Sequence, residues 1–151
     1  MKKILSILLV LIFSIMVTSC SNNDIVPKGY IECKIYSDAT IEQIGYTIQY
    51  NIYKYEEEVN LEKNHFLEKV TEEDLVKAEL LLIDYENKLN EYDQNSDNHE
   101  FKENFDVSIN NISTEDYIYI DHKINEYFMI YYFETSNNTL YYLQLIYKNV
   151  N

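Results

Sequence analysis

The side chains in this chain best placed to do chemistry gather in one short run, Asp93-Gln94-Asn95-Ser96-Asp97-Asn98-His99-Glu100. Oxygen donors at Asp93, Asn95 and Asp97 occupy the first three alternating ligand positions of a calcium-binding loop. The match then stops. The sixth position holds Asn98 where a glycine makes the sharp turn, and the twelfth holds Asn104 where a glutamate grips the ion through both oxygens. The expectation is a solvated acidic loop, with Asp93, Asn95 and Asp97 as the one candidate metal set. His65, His99 and His122 are scattered, without the paired histidines or cysteines of a zinc site. Asp121 and His122 suggest an acid–base pair, but neighbours on a strand face opposite sides. No serine sits in a Gly-x-Ser-x-Gly turn, and two glycines, Gly29 and Gly45, make no phosphate-cradling loop. With no nucleophile, metal set or cofactor motif in view, the expected function is non-enzymatic and cofactor-free.

The 16 tyrosines point instead to recognition or packing. A tyrosine offers a large contact area with a polar tip at low entropic cost, which suits binding surfaces. Many fall on expected apolar faces, among them Tyr46, Tyr50, Tyr85 and Tyr92, where core packing accounts for them. Tyr53 and Tyr55 fall on the opposite face of their strand from Tyr46 and Tyr50. They are therefore the expected exposed binding surface.

The two cysteines have different settings. Cys33 alternates with Ile31 and Ile35 in Tyr30-Ile31-Glu32-Cys33-Lys34-Ile35-Tyr36, which predicts a small buried hydrophobe rather than a reactive thiol. Cys20 follows a basic start, Met1-Lys2-Lys3, and an apolar run from Ile4 to Val17 broken only by Ser6 and Ser14. That run is shorter than the roughly 20 apolar residues a spanning helix needs, and reads as a secretory signal. Val17-Thr18-Ser19-Cys20 resembles the lipobox of bacterial lipoproteins, in which the cysteine is lipidated and the chain is cut just before it. The resemblance implies a signal peptide over residues 1–19 and a mature chain starting at lipidated Cys20. Two or more acyl chains hold a protein stably on a membrane where one holds it only marginally. The implied location is the cell envelope, outside the cytoplasm, with the outer membrane as the address if the organism has two. Residues 20–29, ending beyond the chain's only proline, read as a polar tether, and residues 30–151 as a single domain.

Composition narrows the partners. Removal of residues 1–19 takes away Lys2 and Lys3 and no acid, moving the formal charge from −14 to −16. Nucleic acid is excluded as a partner, because its binding rests on neutralising phosphates with basic side chains. All 12 basic residues are lysine, so the two-pronged grip of arginine on phosphate or carboxylate is absent. The bias toward Asn, Ile, Lys and Tyr matches an AT-rich genome before it matches any function. An envelope protein partner is the leading expectation, and a cation or small ligand at the acidic loop is the alternative.

These residues must be held by a recognisable set of elements. Ile44 to Tyr55 alternates apolar with polar residues and predicts a half-buried strand. Glu56-Glu57-Glu58 turns the chain, and Val59 to Val70 reads as a weaker returning strand. Thr71-Glu72-Glu73-Asp74 is a capping-box variant opening a helix whose stripe is Leu75, Ala78, Leu82, Tyr85, Leu89 and Tyr92, widened by Leu81 and Ile83. Beyond the acidic loop, Phe101 to Ile109, Asp116 to Asp121, Tyr127 to Phe133 and Leu140 to Tyr147 read as strands, the last also carrying a helical stripe. The sum is an α+β domain: an antiparallel sheet packed against one amphipathic helix, followed by a β-meander. A cysteine-bearing strand, a strand ending YNIYKYEEEV, a helix from TEEDL to LNEY and then short strands resemble the YehR-like small lipoproteins over residues 30–121. That resemblance implies no reaction, and the chain departs from it after Ile124.

Overall fold

Alternation along one strand places Tyr46, Ile48, Tyr50 and Ile52 on one side and Thr47, Gln49, Asn51 and Tyr53 on the other. The computed structural model, which describes residues 24–38, 45–97 and 99–148, shows that both sides are used. Strands β1 (Glu32–Asp38), β2 (Tyr46–Lys54), β3 (Glu68–Lys69), β4 (Tyr117–Lys123), β5 (Tyr127–Glu134) and β6 (Thr139–Tyr147) form one sheet. Its order is β1-β2-β6-β5-β4-β3, with every neighbouring pair antiparallel. Helix α1 (Glu72–Gln94) lies across one face, and the single turn α2 (Glu100–Glu103) follows it. This is the α+β architecture the periodicities predict. The meander β4-β5-β6 returns its last strand beside β2, so β6 lies inside the sheet between β2 and β5.

Local chemistry explains each junction. Thr71 Oγ1 accepts a hydrogen bond from Asp74 N at 3.2 Å, and Thr71 N donates to Asp74 Oδ2 at 2.9 Å, a reciprocal cap on the first turn of α1. The meander turns pass through Asn125 (φ 59°) and Asn138 (φ 54°), left-handed positions that asparagine tolerates better than most residues. Asn138 Nδ2 also donates to Tyr55 O at 3.0 Å, tying this hairpin to the end of β2.

The helix side of the sheet forms the larger core. Ala78, Leu82, Tyr85, Leu89 and Tyr92 are buried against Ile48, Tyr50, Ile130, Leu143 and Leu145. Ile83 does not widen this stripe: it is 53% exposed, on the outer surface of α1. Tyr50 sits among rings, with Phe101, Phe105 and Tyr141 centroids at 6.4, 5.2 and 6.3 Å. That packing also corrects the strand expected over residues 101–109. Phe101 and Phe105 are four apart, a spacing one helical turn satisfies as well as a strand, and contact with Tyr50 decides for the turn. Residues 109–111 form a 3-10 turn instead of continuing a strand.

The returning strand over residues 59–70 is likewise reduced to β3, with a 3-10 turn at Leu61–Lys63. Asn64 Oδ1 accepts from Phe66 N at 2.9 Å and Leu67 N at 3.0 Å, so a side chain satisfies backbone donors there. This irregular stretch has a purpose in packing. With residues 24–30, it covers part of the sheet's second face, forming a second core of Val26, Tyr53, Tyr55, Leu61, Leu67, Tyr131, Phe133, Leu140 and Tyr142. The folded domain therefore begins at least six residues before the expected boundary at 30, since Asp24 to Gly29 belong to it.

Candidate functional site

Asp93 and Asn95 of the acidic loop both have partners within the chain. Asp93 Oδ1 lies 2.8 Å from His99 Nδ1, an ion pair when the ring is protonated. The bond and the charge of Asp93 push the His99 pKa up. Asn95 caps α1 and its Nδ2 donates to Glu91 O at 2.7 Å, while Asp97 is exposed. Among the described residues, no three His, Cys, Asp or Glu side chains are grouped to hold a metal ion. Asp121 and His122 do face opposite sides of β4, and Asp121 Oδ2 accepts from Tyr127 OH at 3.3 Å.

Tyr53 and Tyr55 are not an exposed binding surface. They lie on the face opposite Tyr46 and Tyr50, as alternation predicts, but they are only 3% and 6% exposed. The reason is a layer that strand periodicity cannot reveal. Residues 24–30 fold back over them, with the Tyr30 ring edge-on to Tyr53 at 5.3 Å and Tyr55 OH donating to Pro27 O at 2.8 Å. Asn51 Nδ2 donates to Tyr53 OH at 3.0 Å, so that hydroxyl has a partner where water is excluded. Burial pushes the Tyr53 and Tyr55 phenols up from their ordinary value.

Cys33 is half-buried on the same face, directly across from Tyr53. The sequence holds one other cysteine, Cys20, which with the signal segment lies outside the described residues.

Two of the surfaces left open among the described residues bear on binding. On α1, Val76, Leu80 and Ile83 are exposed by 62, 67 and 53%, at spacings of four and three that set them in one outward row. Their helical neighbours Glu72, Glu73, Glu79, Asp84 and Glu86 outnumber Lys77. Sequence inspection missed this row because Ile83 fits the edge of either stripe; the spacing of Val76, Leu80 and Ile83 was the available signal. The second opening is a cleft of about 680 Å³ beside the 24–30 segment, walled by Pro27, Lys28, Tyr55, Lys63, His65 and Phe66. Its rim carries acids too, at Asp24, Glu57 and Glu58.

Among the described residues, no helix is long and apolar enough to cross a membrane. Compared with protein-family models, curated proteins and solved structures, the chain matches none.

Proposed function

We propose that this chain is a lipid-anchored protein of the bacterial cell envelope that binds a protein partner through the outer row of α1, without transforming a substrate. The binding reading is carried by the exposed row Val76, Leu80 and Ile83. Full burial of one such side chain contributes roughly 1.5–3 kcal/mol, so three aligned in water form a ready docking ridge. Anchors at i, i+4 and i+7 are those that an amphipathic helix offers to an apolar groove. The acidic flank sets the partner's character: an apolar groove rimmed with basic side chains. A second copy would bring acid against acid.

The anchor reading rests on Lys2-Lys3, the apolar run from Ile4 to Val17 and Val17-Thr18-Ser19-Cys20. A thioether on the Cys20 sulfur and a disulfide through it exclude one another. The order and spacing of the signal favour the thioether. Mass spectrometry of the Cys20 peptide from membrane-extracted protein distinguishes the two, and palmitate label persisting in a Cys20→Ala chain would sink the anchor.

Native purification from membranes tests the binding surface. Wild-type protein is expected to bring down a partner that the Leu80→Glu chain loses while its melting temperature is unchanged. Equal recovery from both chains would rule out this row as the docking surface.

A further inference from the structure

We infer that residues 24–30 are a strap of the folded domain, so that the lipid anchor holds the strap end of the sheet against zwitterionic lipid headgroups and turns the outer face of α1 toward water. The inference rests on the anchor proposed above and adds the surface that meets the membrane. A polar tether would let the domain tumble at a distance, whereas the strap is fixed along its length. Asn64 Nδ2 donates to Ile25 O at 2.9 Å, Val26 is 8% exposed, and Tyr55 OH holds Pro27 O at 2.8 Å. Ile31 N donates to Lys54 O at 2.8 Å, bringing the chain into register with β2.

Only the steps from Cys20 to Asp24 then separate lipid from fold. At about 3.3–3.6 Å per residue, those four steps reach roughly 14 Å when fully extended. The cleft beside the strap is thereby presented to the headgroup layer. Its walls suit that layer: Phe66 is 38% exposed, and Lys28 and Lys63 can lay their stems along apolar surface with the ammonium in the polar zone. Asp24, Glu57 and Glu58 on the same rim disfavour an anionic surface, which makes the fitting partner zwitterionic lipid. Helix α1 packs on the other face of the sheet, and its outer row lies a helix diameter, about 10 Å, further out.

The test uses the full lipidated protein, purified from membranes and placed in phosphatidylcholine vesicles that contain headgroup-spin-labelled lipid. A fluorescent non-natural residue is introduced at exposed Asn60, beside the cleft, or at exposed Asn87, on the outer side of α1. Quenching is expected to be several-fold stronger at Asn60. A Gly/Ser linker of about 20 residues inserted after Ser21, with a mean reach near 25 Å, is expected to bring the two sites together. Equal quenching in the natural chain, or stronger quenching at Asn87, would overturn the strap orientation while the mass of the Cys20 peptide still showed lipid. Absence of lipid on that peptide would overturn the anchor itself, and the inference with it.

Discussion

Asp116 shows how much one buried side chain decides. It is 3% exposed, and its carboxylate accepts from Ser113 N, Ser113 Oγ, Thr135 N, Thr135 Oγ1 and Tyr132 OH at 2.9–3.0 Å. Burial pushes its pKa up, but the bonds from Thr135 and Ser113 favour the charged form more strongly and hold the carboxyl below its usual range. A folded pKa below the unfolded one, near 3.9, stabilises the fold above that value and loses the contribution as pH falls through the folded pKa. Urea unfolding should therefore show a steeper loss of stability in wild type than in Asp116→Asn between about pH 5 and pH 2. At neutral pH the Asn chain should be less stable by about 1–3 kcal/mol, because Ser113 and Thr135 lose a charged acceptor. Parallel acid profiles would refute the assignment. The tyrosines respond at the other end of the scale. Burial raises the phenols of Tyr50, Tyr85, Tyr132 and Tyr142, and brings Tyr141 to about 12. Groups with raised pKa values stabilise the fold below the unfolded value, near 10, and lose that contribution as pH climbs through the folded values. Absorbance titration should show these buried phenols ionising above the ordinary value, together with alkaline unfolding. A single transition covering all of them at the ordinary value would contradict the buried rings.

At the scale of the element, α1 offers a paired control. Leu82 is 3% exposed beneath the helix and Leu80 is 67% exposed on its outer side, two residues apart. Leu82→Ala removes packed volume and should cost roughly 2–5 kcal/mol, whereas Leu80→Ala and Glu79→Ala should each stay within about 0.5 kcal/mol. Chemical denaturation of the chain lacking residues 1–20 compares them directly. Equal losses at Leu82 and Leu80 would mean that α1 does not lie on the sheet as described. Its N-terminal cap and inner stripe were legible in the sequence because both follow from short-range spacing, Thr71 to Asp74 and then steps of three and four. The turn at Glu100–Glu103 was not, because Phe101 and Phe105 satisfy two periodicities and only the Tyr50 ring chooses between them.

For the whole molecule, the decisive feature is that the sheet is covered on two sides. The strap brings Val26 into the second core and closes over Tyr53, Tyr55 and Phe133. A chain starting at Ile31 should be less stable than one starting at Ser21 by roughly 2–5 kcal/mol, from lost burial of Val26 and loss of the hydrogen bonds to Ile25 O and Pro27 O. That is a large share of the roughly 5–15 kcal/mol of a single domain. Equal denaturation midpoints would return residues 24–30 to the role of a tether.

The sequence by itself determined the α+β class, a strand within the stretch Ile44 to Tyr55, and the capped helix with its buried stripe. Each of these is written in contacts between residues a few positions apart. Tertiary structure alone decided that Tyr53 and Tyr55 are buried, that β6 is a strand and not a helix, and that residues 24–30 belong to the fold. β6 is covered on both faces, so its apolar residues run almost without interruption and leave no alternation to read. The fate of Tyr53 and Tyr55 depends on a segment more than 20 residues away in the chain, folding back along a face that alternation marks but cannot say is covered.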